Sequence, residues 1–244
     1  MQLYSSLRDN ILFVGDIHGE FHDLMNRIKE YEIRNATIIV CGDIGMGFMS
    51  DLWYEKIFVD MDETLSVLDI DLFMFRGNHD NKTYFDGKHF NGFTNIHLIP
   101  DYSVIRTALY NILCVGGAIS IDRYQRVEGK SYWPNEVNVF DEEKLDELKQ
   151  SNINVDIVCT HSATSFCKPN TTYGISYWFT KDDKLEQDVN LERMVCDMIM
   201  EKLRKDGHPI SQWYYGHFHD SHTEYFDGIK FVMLNILEFI NLYY

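Results

Sequence analysis

The sequence predicts an α/β fold, with parallel strand-helix-strand units first and an antiparallel set of short strands after them. Three observations predict it. Apolar, β-branched runs alternate with helical-period segments near the start; short strands crowd together between residues 96 and 115; and no repeat, low-complexity tract or Pro/Gly/Ser linker interrupts the chain. A single domain over 1–244 is the economical expectation.

Taken in order, Ile11 to Val14 is a short apolar run, and Phe21, Leu24, Met25 and Ile28 then recur at helical spacing. Thr37 to Val40 is a second buried-type strand, and Trp53 to Leu68 a helix with Trp53, Ile57, Met61, Leu65 and Leu68 on one face. Leu72 to Phe75 is the third strand, so right-handed crossovers and parallel pairing follow. Ile96 to Ile99, Val104 to Ala108 and Ile112 to Val115 lie close together, as antiparallel neighbours do. Asp141 to Gln150 reads as a charged amphipathic helix and Val155 to Cys159 as another core strand. Leu185 to Lys205 is a long helix whose stripe is Leu191, Met194, Val195, Met198, Ile199 and Leu203. Trp213 to Tyr215, Thr223 to Phe226 and Lys230 to Leu234 complete the strands, the last two joined at Asp227-Gly228, a strong hairpin turn. The long polar connections 81–95 and 162–184 are of a length that often carries function.

The 244 residues, 45% of them hydrophobic, suffice for a large core. With 38 acidic against 22 basic residues, the net charge of −16 repels nucleic-acid backbones, so duplex nucleic acid is not an expected partner. The five cysteines lack CxxC spacing, and the best account is reduced core thiols in a reducing compartment. "MQLYSSLRDN" has no apolar region after a basic start, and no run approaches the ~18 apolar residues of a membrane helix. A cytoplasmic protein without a membrane partner is expected.

The strands share one way of ending. They finish in Gly15-Asp16-Ile17-His18, Gly42-Asp43, Gly77-Asn78-His79-Asp80, Thr160-His161 and Gly216-His217-Phe218-His219. In α/β proteins ligands bind beyond the carboxyl ends of strands, and Asp, Asn and His are oxygen and nitrogen donors for a metal. Each motif alone is weak, since Asp-x-His is usually a turn with a surface imidazole. Together they present Asp16, His18, Asp43, Asn78, His161, His217 and His219, more donors than one octahedral ion takes while leaving room for substrate. Two ions sharing a carboxylate accommodate them.

In that order, "GDIHG", "GD", "GNHD", "H" and "GHFH" resemble the calcineurin-like metallophosphoesterases, and the resemblance runs from residue 15 to 219. "GDIHGEFHDL" is closest to the phosphoprotein-phosphatase branch. The resemblance implies a four-layer α/β/β/α sandwich of two mixed sheets. It also implies that Asp16, His18 and His219 hold one divalent ion, that Asn78, His161 and His217 hold another, that Asp43 bridges them, and that His79 stands beside the site as general acid. One departure is clear. The phosphoprotein phosphatases continue the second motif as GDxxDRG, where this chain has Met46 and Gly47 in place of the Asp and Arg. That argues against a dedicated protein-phosphatase role; branches lacking both residues are phosphodiesterases or broad phosphatases.

The expected activity is hydrolysis of phosphate mono- or diesters. Two ions about 3.5–4 Å apart clamp the phosphoryl oxygens and acidify a water, whose hydroxide attacks phosphorus in line, while His79 protonates the leaving group. Manganese is the first choice of metal, with iron, zinc, nickel or cobalt compatible with the same donors. The substrate is a phosphorylated small molecule, nucleotide or phosphoprotein. Arg76 and Arg123 are the candidate phosphate-binding arginines, Arg76 with a strand-end salt bridge as the competing role. Asp80 is adjacent to His79 in sequence, but neighbouring side chains often point apart, so the sequence leaves open whether Asp80 or another acid orients His79. The alternative function is a non-catalytic scaffold on the same fold; such relatives lose the Asn-His pair or a ligand, whereas His79 and all seven donors are present here.

Overall fold

A computed structural model describes residues 1–243. In chain order the elements are β1 (Leu3–Ser5), β2 (Asn10–Val14), α1 (Phe21–Glu30), β3 (Ala36–Val40), α2 (Asp51–Val67), β4 (Ile70–Met74), β5 (Ile96–Leu98), β6 (Ser103–Arg106) and β7 (Asn111–Val115). They continue with α3 (Glu142–Gln150), β8 (Ile157–Thr160), α4 (Ser176–Phe179), α5 (Leu185–Lys205), β9 (Gln212–Tyr215), β10 (His222–Phe226), β11 (Ile229–Met233) and β12 (Phe239–Asn241).

The strands form two mixed sheets, one ordered β12-β2-β3-β4-β5 and the other β1-β6-β7-β8-β9-β11-β10. In the first, β2 to β5 are parallel and β12 is antiparallel at the edge. In the second, β7, β8, β9 and β11 are parallel, with antiparallel pairs at β6–β7 and β10–β11. The period of two decides the layering. One face of β2, β3 and β4 (Leu12, Val14, Ile38, Val40, Leu72, Met74) packs on α1 and α2. The other (Ile11, Phe13, Ile39, Cys41, Phe73, Phe75) meets Ile105, Ile112, Cys114, Ile157, Cys159 and Tyr214 of the second sheet. Phe13 and Tyr214 stack across that seam at 3.7 Å. The outer face of the second sheet packs on α3 and α5 through Leu145, Leu148, Ile199 and Leu203. The result is the expected four-layer α/β/β/α sandwich.

Local chemistry accounts for several boundaries. Asp141 caps α3 by accepting the Lys144 N–H at 3.0 Å. At the β10–β11 hairpin both Asp227 (φ 48°) and Gly228 (φ 81°) are left-handed, as a tight two-residue turn requires. All five cysteines are buried and unpaired.

Three expectations are corrected, and two short strands are added. Ile96–Leu98 is not part of the antiparallel set: it lies parallel to β4 at the edge of the first sheet, because the long 81–95 connection lets the chain cross over. β1 and β12, three residues each, are too short to show a period. On α2, Tyr54 and Phe58 are fully buried while Trp53 and Ile57 only lean on the core. On α5 the inward face is rotated, leaving Leu191, Met194 and Met198 exposed and burying Glu192, Arg193 and Cys196. Hydrogen bonding is the cause: Glu192 accepts the Ile119 N–H at 2.6 Å, and Arg193 donates to the carbonyls of Thr164 and Cys167.

Candidate metal centre and cleft

Parallel neighbours bring their carboxyl ends to one rim, and the predicted donors meet there. β2, β3 and β4 deliver Asp16/His18, Asp43 and Asn78/His79; β8 and β9 deliver His161 and His217/His219. Asp16, His18, Asp43 and His219 each offer a donor atom within 4.8 Å of the others. His219 Nε2 stands 3.0 Å from Asp16 Oδ2, and His18 Nδ1 stands 3.9 Å from Asp43 Oδ2. On the other side of Asp43, its Oδ1 is 3.2 Å from His161 Nε2, which also lies 3.0 Å from Asn78 Oδ1. The His161 and His217 ring centroids are 5.1 Å apart. The other six predicted donors thus gather around one carboxylate, Asp43. Their chemistry, carboxylate and amide oxygens with imidazole nitrogens, fits divalent cations.

The backbone is bent to achieve this. His18, Asp43, His217 and His219 all have left-handed φ, at 46°, 49°, 69° and 52°. Each costs of order 1–3 kcal/mol for a non-glycine residue, and such residues cluster at functional sites. Two glycines make room. A Cβ on Gly77 would overlap Asp43 Oδ1 and stand 2.7 Å from His161 Nε2, and one on Gly216 would overlap Asp16 Oδ1. Their neighbours' N–H groups then aim at the carboxylates: His79 N–H donates to Asp43 Oδ1 (2.8 Å) and His217 N–H to Asp16 Oδ1 (3.0 Å).

The cluster is electrostatically tense. Burial alone would raise the Asp43 carboxyl, but the facing His161 outweighs it and holds Asp43 well below its usual range. Burial alone would neutralise His161, yet Asp43 and Asp16 push its pKa up to about 10. Asp16 likewise raises His219 by accepting its hydrogen bond. Desolvation, then the charge of His161, drives His217 well down. Protons here compensate buried carboxylates, as a cation would in their place.

A family profile described as calcineurin-like phosphoesterase matches residues 10–221. The chain belongs to that family. No curated protein matches it. Among solved structures, phosphopantetheinyl hydrolase from Mycobacterium tuberculosis is similar at 13% identity and TM-score 0.48, over 95% of this chain and 91% of that one. A cold-active protein-tyrosine phosphatase of a Shewanella species is similar at 13% identity and TM-score 0.42, over 99% and 77%. A 5′-nucleotidase precursor from Thermus thermophilus is similar at 12% identity and TM-score 0.44, over 94% and 48%. The chain spans about half the length of the nucleotidases it matches.

Around the cluster, the structure differs from the sequence-based expectations at both arginines. Arg76 is 1% exposed and points away from the rim; its guanidinium is spent on Asp101 and on the carbonyls of Glu136 and Val137. Arg123 is held by Asp182 and Asp188, both at 2.6 Å, and ties its loop to the start of α5. The arginine in the cleft is Arg126, whose two Nη atoms lie 3.2 and 2.9 Å from Nδ1 and Nε2 of His79. A one-turn 3₁₀ segment, Arg123–Gln125, sets the two arginines in different directions. Burial first, with the Arg126 charge contributing, lowers the His79 pKa against the pull of Asp43.

Asp80 does not reach His79 either. Its carboxylate accepts the N–H groups of Ile44, Gly45, Met46 and Gly77 at 2.7–2.9 Å, clamping the Asp43 loop to the Asn78 loop. Burial, then the Asp43 charge, pushes Asp80 up to about 6. Position 47 has no room for an arginine, since a Cβ there would stand 2.6 Å from Asn81 Cβ and 2.9 Å from Trp133. The donors open into a cleft of about 1120 Å³. One wall comes from the 162–184 connection, including Pro169, Ile175 and Trp178; the opposite wall carries Ile121 and Arg126. Tyr173 and Tyr177 are exposed, and Tyr124 packs beside Trp178.

Proposed function

We propose that the chain hydrolyses phosphate mono- or diesters with two divalent cations, Mn²⁺ the first to test. Asp16, His18 and His219 would hold one and Asn78, His161 and His217 the other, with Asp43 between them. The observation that carries the reading is the Asp43 carboxylate, flanked by His161 at 3.2 Å and His18 at 3.9 Å on opposite sides. When bound, such a pair supplies Lewis acidity for the phosphoryl oxygens and an acidified water.

The chain's own groups do the rest. Arg126 grips the phosphoryl group, the role that Gly47 cannot fill. In the free protein its fork spans both ring nitrogens of His79, and an arriving phosphate draws the guanidinium to itself. The same anion favours the imidazolium form of His79, which then protonates the departing oxygen. The cleft accepts a substrate much larger than phosphate, and its apolar wall at Ile175 and Trp178 suits the organic part of an ester. The acidic surface leaves small nucleotides and phosphopeptides open and disfavours duplex nucleic acid.

The test is Mn²⁺-reconstituted hydrolysis of a nitrophenyl monoester, the corresponding diester and an alkyl phosphate. His79→Ala is expected to keep both ions and to lose roughly 10²–10⁴ of kcat. The loss is larger on the alkyl ester, whose leaving group needs the proton more. Equal rates for wild type and variant on all three substrates would remove His79 from the chemistry; a wild type inactive on all three would reject the hydrolase reading.

A further inference from the structure

Behind Asn78 stands a chain of buried polar groups. The Asn78 amide nitrogen donates to Ser120 Oγ at 3.0 Å, and Ser120 Oγ donates to Glu136 Oε2 at 2.7 Å. The Ser120 backbone N–H donates to the other oxygen, Glu136 Oε1, at 2.7 Å. Ser120, Glu136 and Asn78 are at most 3% exposed. The preceding residue is pinned the same way, because Ile119 N–H donates to the buried carboxylate of Glu192.

We infer that Glu136 and Ser120 are positioning residues that fix which end of the Asn78 amide faces the cations. This rests on the two-cation reading above. Burial pushes the Glu136 carboxyl up to about 7, so at pH 8 it is a carboxylate that only accepts hydrogen bonds, and the Ser120 hydroxyl proton is committed to it. The free side of that hydroxyl is then a lone pair, and the Asn78 group turned toward it must be the NH₂. Asn78 Oδ1, the end that can coordinate a cation, is thereby aimed at the cluster, where it already lies 3.0 Å from His161 Nε2. Without this polarity the amide can rotate by half a turn, and an NH₂ group repels a cation. Glu136 touches neither substrate nor ion and acts only through Ser120 and Asn78.

The experiment is Mn²⁺ titration of the full chain at pH 8 by calorimetry and metal analysis. It compares wild type, Ser120→Ala, Glu136→Gln, Asn78→Ala and the double variant Ser120→Ala/Asn78→Ala. Ser120→Ala removes the acceptor, whereas Glu136→Gln keeps the shape but presents an NH₂ to Ser120 Oγ. Ser120→Ala and Glu136→Gln are each expected to hold one ion with wild-type affinity and the other about 10–100-fold more weakly, the usual effect of losing an outer partner; Asn78→Ala, which removes the donor itself, is expected to weaken that same ion at least as much. The double variant is expected to bind no more weakly than Asn78→Ala alone, since the partners act through Asn78. Wild-type affinity for both ions in Ser120→Ala and Glu136→Gln would overturn the inference. So would an equal loss at both ions accompanied by a lower metal-free melting temperature, the mark of a merely structural role. A wild type that takes up a single ion would overturn the two-cation reading, and this one with it.

Discussion

The two sides of Asp43 are built differently. On one side, the His161 side chain is 0% exposed and locked between the Cys41 carbonyl, Asn78 and Asp43. On the other, His18 and His219 have side chains 26% and 44% exposed and face the cleft. On the buried side His161 and Asn78 lie against the inter-sheet core and the buried groups of Glu136 and Glu192, while His217 is half-buried and reaches the cleft. The open side faces the cleft and its solvent. The difference teaches that one rim can combine a preorganised half, costly to build, with an accessible half that exchanges.

The harshest way to break the comparison is at the residue both halves share. Asp43→Asn should weaken both ions together and reduce activity by more than the about 100-fold typical of an outer partner; metal analysis showing loss of one ion alone would end the bridging assignment. A second contrast separates the halves by stability. In metal-free protein, His161→Ala leaves the buried carboxylates of Asp43 and Asp16 uncompensated and should cost about 3–5 kcal/mol in urea unfolding. His219→Ala removes a half-exposed partner from an Asp16 that still accepts the His217 N–H, and should cost less, about 1 kcal/mol. Equal costs would erase the distinction.

Chelation sharpens the same contrast kinetically. Dilution of Mn²⁺-loaded protein into EDTA should release metal in two phases, with activity lost in the first, as the open side empties. A single phase would mean that the halves do not differ in access. The smallest effect is on pH dependence. Burial pushes the Glu192 carboxyl from its usual 4.5 up to about 7. Between those values the folded chain holds a proton that the unfolded chain has released, so stability falls as pH rises through that window. Glu192→Gln should therefore flatten the decline in metal-free melting temperature between pH 5 and pH 8, and an unchanged slope would show that this carboxyl titrates normally.

Much of the rim was legible because its signal is local. A core strand needs a short apolar run, and a sharp turn into a site needs glycine followed by a donor. Asp16, Asp43, Asn78 and His217 satisfy both within a few residues of sequence, and His161 follows its apolar strand through Thr160 without a glycine. The cleft arginine was not legible. Arg123 and Arg126 stand three residues apart in "IDRYQR", and beyond the local Arg126–Asp122 pair only their remote partners, Asp182 and Asp188 against His79, tell them apart. Those partners are distant in sequence. Nothing in the sequence marks Glu136 or Glu192 as buried, and the inward face of α5 turned on Glu192 and Arg193 rather than on Met194 and Met198.

By itself, then, the sequence determined the alternation of strands and helices, the polar ends of five strands, and the donor types placed there, because period, turn chemistry and coordination preference are properties of neighbouring residues. Only the tertiary structure decided which arginine enters the cleft, which acids lie buried behind the site, and how the halves around Asp43 differ in burial. Those depend on contacts between segments far apart in the chain, where the balance of desolvation and hydrogen bonding is struck after the sheets have packed.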